Sequence, residues 1–123
     1  MKCILITKNN KQLFTPFLPE DVCSGGKHLV FGAYDDEGYV LGAIIGTYWE
    51  YECGINWLYV HPQARQCGVA TGLLECLIAA VNASWKCPDA TLVFDAINDA
   101  SAKLAGKFFP NGLKVNIYEA SAI

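Results

Sequence analysis

Arg65, Gly68 and Ala70, within Arg65-Gln66-Cys67-Gly68-Val69-Ala70-Thr71, are the residues whose types and spacing point most directly to chemistry. The first N–H groups of a helix have no intrahelical partner and lie at the positive end of its dipole, so they can hold a phosphate or pyrophosphate. Gly68 and Ala70 leave room for such an anion where the chain turns helical. Arg65, the only arginine in the sequence, adds a full charge and a planar fork of donors. The predicted chemistry is therefore anion capture, made largely by main chain. Two reactive side chains lie close by. A thiol at a helix N-terminus beside an arginine makes Cys67 a candidate nucleophile. His61, just before Pro62, is a candidate general base, although an exposed loop histidine is the commoner case. No G-x-x-x-x-G-K-[ST] string is present, which argues against a kinase or NTPase, and no local motif suggests a Ser-His-Asp triad.

These residues need a strand that brings them in and a helix that follows. Ile55 to Val60 is apolar or aromatic apart from Asn56 and reads as a buried strand, ended by Pro62. From Val69 onward, Val69, Leu73, Leu77 and Val81 form one row with Ala70, Leu74 and Ile78 beside it, the pattern of a helix running to about residues 82–84. Upstream, Cys3 to Thr7 predicts an edge strand and the 8–11 segment a polar turn. Gln12 to Gly26 has room only for a turn or two of helix, around Pro19-Glu20-Asp21-Val22. His28 to Tyr34 and Tyr39 to Thr47 read as strands joined by the hairpin Asp35-Asp36-Glu37-Gly38. Gly42 and Gly46 mark a bulge, a close approach or ordinary packing in the second of them. Tyr48-Trp49-Glu50-Tyr51-Glu52 then makes the turn into the central strand. Thr91 to Ala96 is a strand reached through a helix and so parallel to the central one. Asn98 caps a second helix with Ala100, Leu104 and Phe108 on one face, stopped by Pro110-Asn111-Gly112. Leu113 to Glu119 is the last strand.

The string Val60-x-Pro62-x-x-Arg65-x-x-Gly68-x-Ala70, after a hydrophobic strand and before a Leu-rich helix, resembles the acetyl-CoA-binding motif of the GNAT family of N-acetyltransferases. The resemblance covers residues 28 to 119 well and the first 27 loosely. It implies an α/β (α+β) fold with a mixed, mostly antiparallel sheet of about six strands flanked by two main helices. It also implies one domain over residues 1–123 that lacks the family's usual last strand, with a second subunit or a neighbouring domain over the open edge. The implied co-substrate is acetyl-CoA. Its pantetheine arm would pair beside Leu58, Tyr59 and Val60, and its pyrophosphate would rest on Arg65 and the N–H groups of Gln66, Cys67, Gly68, Val69, Ala70 and Thr71. Asn98 matches a position where the family often has a cofactor-contacting asparagine, and it serves equally as a helix cap.

Where the family often carries a carboxylate base on the central strand, this chain has Asn56, an amide that can orient a water or the substrate but cannot act as base. Glu52 and Glu50 lie just upstream as alternatives. Where the family has a tyrosine acid on its last helix, this chain has Phe108. The implied reaction is transfer of acetyl directly to a primary amine, on a small molecule or peptide, with Asn56 and Glu52 as the catalytic candidates. The alternative is a non-catalytic acyl-CoA-binding or subunit-interaction module of the same ancestry, which Asn56, Phe108 and the compressed front region favour. Either could be a dimer.

Composition narrows the remaining classes. The chain of 123 residues is 53% hydrophobic, enough for a core without staples. A net charge of −3 with no basic run argues against nucleic-acid binding. Cysteines at 3, 23, 53, 67, 76 and 87 form neither a C-x-x-C pair nor a Cys/His cluster, so no metal is expected and the thiols read as reduced, in a cytoplasmic protein. Neither a signal peptide nor a membrane-spanning run is read from the sequence.

Overall fold

The computed structural model describes residues 1–19, 22–49, 52–65, 67–84, 91–96 and 114–117. Of residues 48, 49, 52, 53, 56, 81–84, 91–96 and 114–117 it describes the backbone alone. The described elements are β1 (Lys2–Leu5), α1 (Lys11–Phe14), β2 (His28–Tyr34), β3 (Val40–Trp49), β4 (Glu52–Val60), α2 (Val69–Ser84), β5 (Thr91–Ala96) and β6 (Lys114–Ile117), with one 3-10 turn after α1 and another after β4. The strands form one sheet in sequence order. β1 to β4 pair antiparallel; β5, reached through α2, pairs parallel to β4, and β6 pairs parallel to β5. The expected mixed fold is therefore present; the second main helix, after Asn98, falls outside the described residues. Among the described residues no helix is long and apolar enough to cross a membrane.

Each face of the sheet buries a separate apolar cluster. On one, Ala33, Ile44, Ile55, Leu58 and Val60 pack against Val69, Leu73, Leu74 and Leu77 of α2. The apolar row read from the sequence is thus the helix's buried side. On the other, Ile6, Val30, Ala43 and Ile45 are covered by Phe14 and Val22, with Phe17, Leu18 and Trp57 at the margin.

The described front helix lies upstream of the turn expected around Pro19-Glu20-Asp21-Val22, in which Glu20 and Asp21 fall outside the described residues. It spans Lys11–Phe14 and runs into a 3-10 turn at Thr15–Phe17, upstream of Pro19. The cause is local: Asn10 ties the preceding turn together, its Oδ1 accepting from Thr7 N at 2.8 Å and its Nδ2 donating to Leu5 O at 3.0 Å. The helix then drops Phe14 onto Gly32, where any β-carbon would collide with the Phe14 ring. The hairpin at residues 35–38 forms as read, with Asp35 Oδ1 accepting from Glu37 N and Tyr39 N, both at 2.9 Å. The next hairpin is tighter than expected. Trp49 pairs with Glu52, so Tyr48, Trp49 and Glu52 belong to strands and not to the turn.

Two irregularities in the central strands bear on the site. A β-carbon on Gly42 would lie 2.5 Å from Tyr59 O, so this position is a close backbone approach. The β3–β4 register passes from Ile45 opposite Trp57 to Gly46 opposite Ile55, leaving Asn56 as an extra residue on β4. Ile55 and Leu58 are three apart yet both face α2, which strict alternation forbids and the bulge at Asn56 permits.

Candidate active site

The loop after β4 is built by main-chain and side-chain caps in turn. His61 N–H extends the ladder to Leu41 O at 2.7 Å. Pro62 cannot continue it, and one 3-10 turn follows at Pro62–Ala64, with His61 Nδ1 accepting from Gln63 N at 3.1 Å. Arg65 then folds back: its Nε donates to Val60 O at 3.0 Å, and its guanidinium carbon lies 5.7 Å from the Tyr59 ring centroid. Gly68 takes φ +82°, a conformation that favours glycine, and its carbonyl accepts the first helical bond, from Gly72 N at 3.0 Å. The N–H groups of Val69, Ala70 and Thr71 thus precede any intrahelical acceptor, at the positive end of a sixteen-residue helix. Among the described residues a β-carbon on Gly68 would meet nothing within 4 Å.

Beside this loop the sheet parts. β4 and β5 pair from Glu52 opposite Thr91 to Ile55 opposite Phe94, and their described pairing ends there, although β4 continues to Val60 and β5 to Ala96. Since His61 N–H faces β3, alternation turns the main-chain groups of Leu58 and Val60 towards the opening and those of Tyr59 towards β3. The opening begins at the bulged Asn56 and leads to Gly68 and the start of α2. Such a slot suits an extended, amide-bearing chain with an anionic group at its far end.

Residues 26–109 match the family model for the acetyltransferase (GNAT) domain. The chain belongs to the GNAT family of acetyltransferases. No curated protein sequence matches it. Among solved structures it is similar to the ribosomal-protein-alanine N-acetyltransferase of Brucella melitensis biovar Abortus 2308, at 19% identity and a TM-score of 0.70, over 100% of this chain and 97% of that one. It is similar to aminoglycoside N-acetyltransferase AAC(6')-Iy in complex with CoA, at 16% identity and a TM-score of 0.73, over 99% and 100%. A third similarity is to aminoglycoside 6'-N-acetyltransferase AAC(6')-Ih of Acinetobacter baumannii, at 16% identity and a TM-score of 0.67, over 99% and 98%. At these identities the neighbours establish the fold.

Within this GNAT fold the predicted residues fall into distinct places. Leu58 and Val60 lie on β4 beyond its described pairing with β5, and Arg65, Cys67, Gly68, Val69, Ala70 and Thr71 lie in the following loop and the first turn of α2. Tyr59 contributes a ring instead of main chain: it lies 6.3 Å from Trp57 and 5.8 Å from Phe17, under the Arg65 guanidinium. Trp57 Nε1 ties this aromatic wall to Phe17 O at 2.9 Å. The exposed Cys67 thiol sits 3.6 Å from Arg65 O as a donor. Cys3, packed near α2, has its thiol pushed up from 9.0 to about 12, first by burial and then by the neighbouring Cys76. Asn56 and Glu52 both lie on β4, the first at the bulge and the second at the strand's start. Gln66, Asn98, Phe108 and Glu50 lie outside the described residues. Among the described residues no group of three His, Cys, Asp or Glu side chains could hold a metal ion. Three groups escaped the sequence reading: the bulge at Asn56, the cross-strand contact of His28 Nδ1 with Thr47 Oγ1 at 3.3 Å, and the aromatic wall of Phe17, Trp57 and Tyr59. The second has no signal in a single sequence, because partners across a sheet depend on register.

Proposed function

We propose that this chain transfers acetyl from acetyl-CoA to a primary amine by direct attack within a ternary complex. The observation that carries this reading is the end of the described β4–β5 pairing at Ile55 and Phe94, which leads from the bulge at Asn56 to the first N–H groups of α2.

The residues present fit the co-substrate. Leu58 N–H and C=O and Val60 N–H offer strand-like partners for the pantetheine amides, while Arg65 occupies Val60 O. The Gly68 turn and the N–H groups of Val69, Ala70 and Thr71 suit a pyrophosphate, with the remaining Arg65 donors at its edge. Gln66, Cys67 and Asn98 complete the proposed binding set. Bound acetyl-CoA supplies an activated acetyl thioester. The chain's own task is to hold a neutral amine against it, and Asn56, through its amide, or Glu52 orients the amine or its water. Neighbouring folds named for ribosomal-protein alanine and for aminoglycosides support an amine acceptor without choosing one. The chain is read as one acetyl-CoA-binding domain, with the outer edge of β6 covered by a second copy or an adjacent domain.

The second reading, an acyl-CoA-binding module without turnover, is favoured by the amide at Asn56. Calorimetric titration with acetyl-CoA, followed by CoA-thiol release across a panel of primary amines, separates them. Amine-dependent release supports the enzyme, and binding without release supports the module.

A further inference from the structure

β1 and α2 meet through small and sulfur-bearing residues. A β-carbon on Gly72 would collide with the Met1 methyl group, and Cys3 Sγ lies 3.8 Å from Gly72 O. Cys76 stands one helical turn after Gly72, on the same side of α2. Leu73 and Leu77 beside it are fully buried, and Cys3 packs at the margin of their cluster. The two thiols therefore adjoin, and that of Cys76 acts directly on that of Cys3. The other described thiols are elsewhere. Cys23 packs against the cluster on the opposite face of the sheet, and Cys67 is exposed in the loop, donating to Arg65 O. Cys3 and Cys76 are both free and half-buried, within reach of a small reagent.

We propose that Cys3 and Cys76 form a reversible disulfide, with hydrogen peroxide as the oxidant, that staples β1 to α2. The proposal does not depend on acetyl transfer. One thiol gives its proton to solvent and its sulfur attacks a peroxide oxygen; the O–O bond breaks, leaving a sulfenic acid and hydroxide. The second sulfur then attacks the first. The S–S bond forms as the S–O bond breaks, and the second thiol's proton leaves with the hydroxyl as water. In sum, two thiols and one peroxide give one disulfide and two waters. The sulfurs have only to close from contact to about 2.0 Å. Burial, and then Cys76, hold the Cys3 thiol up at about 12, and since the thiolate is the reactive form the pair rests reduced at neutral pH until peroxide is present. Joining residues 3 and 76 closes a long loop, the case in which a cross-link restricts the unfolded chain most.

The test uses the full chain, reduced with dithiothreitol, freed of it and treated with hydrogen peroxide. Remaining thiols are blocked with N-ethylmaleimide, and the chain is cut without reduction by trypsin and a glutamyl endopeptidase, whose cleavage after Glu75 separates Cys76 from Cys67. Mass spectrometry is expected to find the Cys3 peptide joined to the Cys76 peptide, in protein that runs as a single chain on a non-reducing gel. Dithiothreitol should return both thiols. The oxidised protein should melt about 5 °C or more above the reduced form, and peroxide should give C3S and C76S no such rise. The peptide map is made on wild type, so it decides the assignment even where a variant does not fold. Cys3 and Cys76 both carrying maleimide after peroxide, or joined to other cysteines or to another chain, overturns the proposal. A mapped bond with an unchanged melting temperature overturns the staple.

Discussion

Arg65 does two things with one side chain. Its Nε holds Val60 O and its plane covers Tyr59, which fixes where the remaining donors stand. Lysine has neither the fork nor the plane, so charge alone does not replace it. R65A is expected to weaken acetyl-CoA binding by about tenfold, equivalent to about 1.4 kcal/mol, and R65K nearly as much. Calorimetry checks this, and an R65K variant that binds as wild type would reduce the residue's role to its charge. Asn56 is expected to act after binding. N56A should leave acetyl-CoA affinity unchanged and lower kcat by about 10- to 100-fold, the scale on which misplacing a reactant slows a reaction. An equal loss in affinity would assign Asn56 to the cofactor slot instead.

The bulge is what allows β4 to serve both the core and the slot. Deleting Asn56 restores strict alternation, which turns residues 52–55 over and moves Ile55 off the α2 face. The expected cost is about 2–5 kcal/mol, as for loss of a large core side chain, read as a lower urea midpoint. An unchanged midpoint would show that the ladder absorbs the deletion elsewhere. The same element shows what the sequence could and could not convey. β2, β3, the hairpin at Asp35, β4, α2 and β5 were readable because each carries its own period or turn residues. The bulge is one residue with no composition of its own. The helix at Lys11–Phe14 was not read, because it depends on the 7–10 turn held by Asn10 and on the seat of Phe14 against Gly32, neither of which has a periodic pattern. Of the site, the loop from Arg65 to Thr71 was visible because main-chain anion binding constrains residue size locally. The aromatic wall and the His28–Thr47 contact were not, since they join residues brought together only by sheet register.

Among the described residues the molecule is a sheet with α2 on one face and the short front segment on the other, and the slot lies where the described pairing of β4 and β5 ends. β1 ties the chain's start to α2, with Cys3 Sγ 3.8 Å from Gly72 O. Burial, and then Cys76, hold the Cys3 thiol up at about 12 against 9.0. The native state therefore keeps a proton that the unfolded chain releases first. This contribution to stability is full below about pH 9 and is lost as pH rises towards about 12. Thermal melts from pH 8 to 11 should fall more steeply for wild type than for C3A; parallel declines would contradict the assignment. The central claim concerns the slot and its loop, and one measurement tests it most directly: calorimetric titration with acetyl-CoA, then CoA-thiol release on addition of primary amines to the same sample. The account predicts saturable binding followed by amine-dependent release. Failure to bind acetyl-CoA would contradict it, and would mean that the chain keeps the family's fold without its ligand.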